Sequence, residues 1–446
     1  MPSAQQCDVV VVGLGPGGEE VAGRLAEAGL DVVGIEAELV GGECPYWGCI
    51  PSKMMVWAAG LLAEGRRIPG NAGSSDIVAD WAPVARRIRD EATDSWDDQV
   101  AVDRFVGKGG RFVRGRARVT GSDSVVVDGQ EFTAGKALVL ATGARPWVPP
   151  AFAAVPYWTN REAIATETVP ASLLVVGGGA VGLEIGQVMA RFGAAVTIVE
   201  TAGRLAAAEE PEVSELITDI LRREDIDVRT GVDIARVEST AAGCTAHFAD
   251  GSSASAARVL VATGRRPDLA GLGVAALGLD DSARSIPTDA HMRVLPGVWG
   301  VGDVTGKGAF THVAMYQARI CVADILGRPS DGADYRALPR VTFTDPEIGS
   351  VGMTEAAARQ AGGEVRVLHG SISASARGWI NRGEGLVKLV ERDGVLVGAT
   401  SMGPSGGEVL GLLTLAVHAR IPVRTLKGMI YAYPTFHRAI DSALWS

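Results

Sequence analysis

Residues Asp8–Glu36 read DVVVVGLGPGGEEVAGRLAEAGLDVVGIE. Val9–Val12 run uninterrupted into a glycine-rich turn, which suits a strand buried on both faces of a parallel sheet. A helix is expected over Gly18–Ala28 and a second strand over Val32–Glu36. Gly13, Gly15 and Gly18 form G-x-G-x-x-G. The first permits the tight turn, the second lets a pyrophosphate approach the backbone, and the third lets helix and strand pack closely. The helix N-terminus then presents amides to phosphate oxygens. Glu36, 18 residues after Gly18, stands where a carboxylate can accept hydrogen bonds from an adenosine ribose. A glycine fingerprint alone is weak; strand, helix and acid together make this one a nucleotide site.

The same design returns at Ser172–Glu200. A strand over Leu173–Val176 leads into Gly177, Gly179 and Gly182, then a helix over Gly182–Phe192 and a strand over Ala195–Glu200. Glu200 repeats the offset of 18 and favours a free 2′-hydroxyl, hence NADH over NADPH. Arg204, four residues on, could blunt that preference. Two such units imply two doubly wound, Rossmann-like α/β domains. Val125–Thr133 and Ala137–Ala141 read as further strands, and Pro146, Pro149 and Pro150 as a connection. Val259–Ala262 and Gly297–Asp303 read as strands ending in Ala-Thr-Gly and Gly-Val-Gly-Asp, with a helix from about His312 to Leu326. From Leu338 the character changes to alternating strands (Arg340–Thr344, Leu386–Arg392, Val395–Ser401) and two late helices, a third, α+β domain.

With 446 residues, about three domains fit. A net charge of -10 without a basic block argues against nucleic acid or an anionic membrane as partner. No apolar run reaches the ~20 residues of a membrane span, and the opening apolar run reads as a strand rather than a signal peptide. Five cysteines, an odd number, do not make a secreted disulfide framework. A reducing, cytoplasmic setting is expected.

Cys44 and Cys49 lie in GGECPYWGCIPSK, residues 41–53, at what reads as the start of a helix from Ile50 to about Glu64. Thiols this close can form a small disulfide ring, and a helix N-terminus stabilises the thiolate released when it reopens. Such a pair is a redox device. The alternatives are ordinary buried thiols or half of a metal site; the latter usually shows C-x-x-C spacing with further Cys or His ligands, and none lie nearby. No metal site is expected. Cys7, Cys244 and Cys321 are scattered and read as packing thiols.

Two nucleotide units flanking a C-x4-C pair resemble the class I pyridine nucleotide–disulfide oxidoreductases, the family of dihydrolipoamide dehydrogenase, glutathione reductase and mercuric reductase. The resemblance spans nearly the whole chain and includes ATG at 141–143 and 262–264, GVGD at 300–303, and PRVTFTDPEIGSVG at 339–352. It implies FAD on residues 1–147 and 267–337, NAD(P)H on 148–266, and a dimerisation domain over 338–446. It further implies Gly143 near the flavin-domain crossover, Asp303 on the ribityl chain, Cys49 against the isoalloxazine and Cys44 as the interchange thiol. Lys53 would pair with Glu184 near the flavin, where a cation stabilises negative charge. Helix-face surface residues are the plainer reading of both. His312 is expected to support the backbone on the flavin side.

The C-terminal segment departs from the family. Thiol-using members carry a His and a Glu there, a dyad for acid–base work on the partner subunit's interchange thiol. Here Tyr433 holds the His position and Arg438 the Glu position. A phenol, with a reference pKa of about 10, does not cycle protons near neutrality. His437 would lie one turn inside a helix starting near Thr435, and Arg438 either attracts an anionic substrate or carries surface charge. Tyr46 and Trp47 add aromatic bulk between the cysteines, as core packing or as a wall for a flat acceptor. Ala180 replaces a bulky gating residue, implying an open nicotinamide pocket. The expectation is a homodimeric FAD enzyme passing electrons from NADH to a quinone-like oxidant, a metal ion or a specialised small disulfide. A working dihydrolipoamide dehydrogenase using His437, and a non-catalytic flavoprotein subunit, are the rivals.

Overall fold

The computed structural model describes residues 4–240 and 243–446, which form two compact units. The first comprises Met1–Pro51, Arg86–Trp147 and Gly264–Asp334; the second Ser52–Ala85, Val148–Thr263 and Tyr335–Ser446.

In the first unit five parallel strands lie in the order Arg111–Arg114, Val32–Glu36, Gln5–Val12, Gln130–Leu140, Val298–Gly300. This is the doubly wound order, and its switch point falls between Gln5–Val12 and Gln130–Leu140. Alternate valines of the first strand enter different cores. Val9 and Val11 pack with Val21, Leu25 and Cys321, while Val10 and Val12 pack with Ile35, Leu138 and Leu140. Burial on both faces is why the strand needs no polar alternation. The expected strand Val125–Thr133 is instead a hairpin, Ser124–Val127 turning into Gln130–Leu140. Asp128 and Gly129, with φ of 47° and 82°, supply the two left-handed positions of its turn. The expected strand Gly297–Asp303 stops at Gly300, because Gly302 has φ 81° and a short 3₁₀ turn, Asp303–Thr305, follows.

The second unit holds a four-stranded parallel sheet ordered Asp227–Thr230, Ala195–Glu200, Ser172–Val176, Arg258–Val261, and a three-stranded antiparallel sheet. It also holds a five-stranded antiparallel sheet formed by Pro339–Thr342, Glu347–Gly352, Val395–Gly403, Leu386–Arg392 and Val365–Ser371. Helices Gly406–His418, Val423–Lys427 and Arg438–Leu444 share a core with it, three helices where two were expected. The last begins at Arg438, so His437 precedes the helix rather than lying a turn inside it.

Within this unit Lys388, 1% exposed, donates to Glu210 at 3.0 Å and Glu212 at 2.8 Å and pairs with Glu355 at 2.9 Å. Hydrogen bonds from Lys388 and Arg359 hold the Glu355 carboxyl below the usual range. A lowered folded pKa contributes stability above the unfolded value, about 4.3, and loses it as pH falls through the folded one. Lys388→Met, which removes the cation shared by these carboxylates and leaves the buried Glu210 without it, is expected to cost about 3–5 kcal/mol in urea unfolding at pH 7. The gap should narrow below about pH 4 as the carboxyls protonate. A loss under about 1 kcal/mol at pH 7 would show that the carboxylates relax into water.

Candidate functional site

Cys44 lies on a short helix, Glu43–Trp47, and Cys49 opens the long helix Cys49–Arg67. The long helix thus starts one residue before the expected Ile50, and Cys49 occupies its N-terminus. Cys44 is half-buried and Cys49 exposed. The Cys49 Sγ lies 3.4 Å from Oγ1 of Thr311, first residue of the helix Thr311–Ile325. Two helix N-termini therefore bear on one sulfur, and both favour a thiolate. The other three cysteines are buried; burial pushes Cys7 up to about 11 and raises Cys321 further, keeping both protonated.

The loop before Cys44 packs on the first glycine turn. A Cβ on Gly42 would come within 2.8 Å of the Gly15 Cα. The Gly41 amide donates to the Leu14 carbonyl at 2.7 Å, and the Val40 amide to Asp98 at 2.6 Å. Arg114 fixes Asp98 in turn. Gly13, at φ 93°, can only be glycine, since a Cβ would sit 2.5 Å from the Ala141 carbonyl oxygen. Gly15 has open space above it, and the 12-residue helix Pro16–Glu27 follows. Glu36 accepts from the Leu14 and Glu38 amides, each at 2.8 Å, so it pins the turn and keeps lone pairs free for a ribose. Burial raises its pKa despite those bonds. Gly143 follows the sheet at φ 65°. Asp303 is half-buried; burial raises its pKa, the Arg265 charge opposes, and Glu43 and Cys49 add to the rise. Arg265 itself pairs with Glu43 at 3.2 Å. His312 stacks on Phe310. An open glycine turn, a helix N-terminus, a ribose acid and a half-buried Asp303 beside the thiol segment fit FAD.

In the second unit Lys53 donates to Glu184 at 2.7 Å. The other Glu184 oxygen accepts the Phe343 amide at 2.8 Å, and the Lys53 ammonium lies 4.6 Å from the Phe343 ring centroid. These contacts leave neither side chain as a plain surface charge. Further along the same helix Gln187 exchanges two bonds with the Asp345 backbone, and the buried Arg191 bridges Asp345 and Glu224. Gly177 repeats the Gly13 arrangement: a Cβ would collide with the Ala262 carbonyl oxygen. Gly179 is open, and Gly182 sits in the first turn of the helix Ala180–Arg191. Ala180 itself is exposed. Glu200 accepts from the Gly178 and Ala202 amides at 2.7 and 2.8 Å, as Glu36 does in its own turn. Arg204 donates to Ser214 of the helix Pro211–Arg223 and to the Ala207 and Glu209 carbonyls, so its guanidinium is held between its own loop and that helix. Tyr433 is 73% exposed. Arg438 pairs with Asp441 at 2.9 Å, a charge within its own helix.

The family described as pyridine nucleotide-disulphide oxidoreductase matches residues 7–318, and its dimerisation domain matches residues 338–444. The chain belongs to that family, in its class I form. It is 34% identical to a dihydrolipoyl dehydrogenase of Chlorobaculum parvum over 461 residues, covering 100% of this chain and 97% of that one. A dihydrolipoyl dehydrogenase of Thermus scotoductus is 33% identical over 460 residues, covering 98% and 96%. Among solved structures, LpdA from Mycobacterium tuberculosis superposes with a TM-score of 0.86 at 24% identity over 99% of each chain. The HOCl-induced flavoprotein disulfide reductase RclA from Escherichia coli gives 0.85 at 25% over 98% of each. This chain is an FAD-containing oxidoreductase that uses a pyridine nucleotide. Its fold is the expected pair of Rossmann-like domains with a C-terminal dimerisation domain. No described helix is long and apolar enough to cross a membrane.

Sequence reading missed Thr311, Asp98, Trp96 and Arg265, which reach the thiol segment or Asp303 only through folding. Phe343 lies inside the 339–352 motif, yet it contributes a backbone amide to Glu184, which no side-chain pattern reveals, beside a ring near the Lys53 ammonium. Asp303 yields a pH test. A raised folded pKa disfavours folding once the carboxyl ionises, so stability falls as pH rises through that pKa. Apo Asp303→Asn should melt above apo wild type at pH 7, with the gap closing toward about pH 4. FAD should stabilise wild type more than the variant. Equal apo melting temperatures at pH 7 would contradict this account.

Proposed function

We propose that this enzyme oxidises NADH and delivers the electron pair through Cys44 and Cys49 to a small flat oxidant, a quinone-type acceptor rather than a dithiolane. The reaction balances as NADH, a proton and a quinone giving NAD⁺ and a hydroquinone. Bound FAD would supply the two-electron relay between nicotinamide and disulfide. Gly13, Gly15, Gly18, Glu36, Gly143 and Asp303 would hold it, within domains assigned as 1–147 and 267–337. Gly177, Gly179, Gly182 and Glu200 would hold the nicotinamide nucleotide, within 148–266. Lys53, oriented by its contact with Glu184, would offer a cation where negative charge develops. Cys49 is the thiol assigned to the relay side and Cys44 the one that meets the acceptor. Residues 338–446 would join two copies of the chain. Ile430, 98% exposed, and Trp445, 68% exposed, lie in this segment and suit burial against a second copy.

The observation that carries the choice of acceptor is the Tyr433 and Arg438 pair. Disulfide interchange needs a base near neutral pKa and a carboxylate to fix its tautomer. Tyr433 offers a phenol, and Arg438 is a cation already paired with Asp441. A quinone-type acceptor does not need a dedicated imidazole at the thiol. The choice of NADH rests on Glu200 and on Arg204, whose three bonds to its own loop and to Ser214 leave it poorly placed for a 2′-phosphate.

A second reading is favoured by the relatives named dihydrolipoyl dehydrogenase. In it His437, half-buried just before the final helix, does the acid–base work. Steady-state NADH oxidation separates the two. The quinone reading expects kcat/KM for 2-methyl-1,4-naphthoquinone about 100-fold above that for lipoamide, and a KM for NADPH at least about tenfold above NADH. The second reading expects lipoamide turnover on the order of 10² per second. It also expects a loss of about 10²-fold in His437→Ala confined to thiol substrates.

A further inference from the structure

Residues 94–98, which no motif marks, grip the thiol segment at three consecutive positions. The Trp96 indole stacks on Trp47 with centroids 5.4 Å apart and planes 19° from parallel. The Tyr46 hydroxyl lies 3.5 Å from the Asp97 carbonyl oxygen. Asp98 accepts the Val40 amide at 2.6 Å. Tyr46 is buried and serves the core; both tryptophan residues are half-buried and keep part of their surface in solvent. Trp47 sits one turn from Cys44 on the same short helix, so the two side chains share a face.

The backbone that presents Trp96 is unusual. A π-helical turn, Ile88–Ala92, precedes it, a rare element concentrated at functional sites. Asp94, Ser95 and Trp96 then have φ of 47°, 58° and 59°, three successive non-glycine residues in the left-handed region. The Trp96 Nε1 is buried without a hydrogen-bond partner. A tryptophan held only for packing would normally find a partner for that N–H. This ring is placed for its face, not its edge, and strain of this kind gathers where a ligand must be met.

We infer that Trp96 and Trp47 form an aromatic wall beside Cys44 that binds the acceptor and selects flat π-systems such as p-quinones over flexible alkyl disulfides. A third ring laid against a near-parallel pair gains offset stacking, which a dithiolane cannot match. The inference deepens the quinone-acceptor reading and rests on it.

The test compares wild-type holoenzyme with Trp96→Ala, Trp96→Leu and Trp96→Phe, using 2-methyl-1,4-naphthoquinone. Its KM should rise roughly three- to tenfold in the Ala and Leu variants and return to within about twofold of wild type in Phe. Equilibrium dialysis of the naphthoquinone against oxidised holoenzyme, without NADH, should show the same order of affinities. Should the Ala variant fail to fold, Leu against Phe still separates a π face from mere bulk. Leu behaving like Phe, or all three matching wild type while wild type reduces the quinone, would overturn this inference alone. Wild type that turns over lipoamide and no quinone would overturn both it and the reading beneath it.

Discussion

The close approach of a glycine to a carbonyl at the end of a neighbouring parallel strand underlies each nucleotide-binding half. Gly13 lies against Ala141, and Gly177 against Ala262. No side chain fits either place, so the strand passes straight into its helix and leaves the helix N-terminus open to a phosphate. Each second strand then returns an acid whose carboxylate accepts an amide from the turn it follows. The Ala-Thr-Gly segments and the G-x-G turns are thus two halves of one contact, made twice.

Charge is handled differently away from the turns. Glu184 is divided between the Lys53 ammonium and the Phe343 amide. Gln187 and Arg191 extend the same helical face onto Asp345, so one face of one helix sets the whole 343–345 segment. Lys388 shows the opposite economy, a buried cation surrounded by three carboxylates at the starts of two helices, Glu210 and Glu212 on one and Glu355 on the other. In both places an ion has left water only because geometry supplies partners on several sides.

The redox segment combines these devices. Helix N-termini converge on Cys49, a glycine turn supports the loop before Cys44, and an aromatic stack flanks the intervening residues. The C-terminal segment carries Tyr433, largely exposed, and Arg438, paired with Asp441.

Much of this was legible in the residues themselves. Glycine spacing, the acids closing each unit, C-x4-C and the apolar runs are local requirements of backbone geometry, and each held its place to within a few residues. Strand ends read less well: Asp128–Gly129, a two-residue turn signal between Val127 and Gln130, was read through as part of one strand, Val125–Thr133. Contacts such as Trp96 on Trp47, Asp98 on Val40 and Thr311 beside Cys49 join segments far apart in the chain. Amino-acid order by itself determined which backbone could approach a nucleotide and where two thiols stand close along the chain. Only the tertiary structure decided what surrounds those thiols, since stacking and charge depend on distances that sequence separation does not encode.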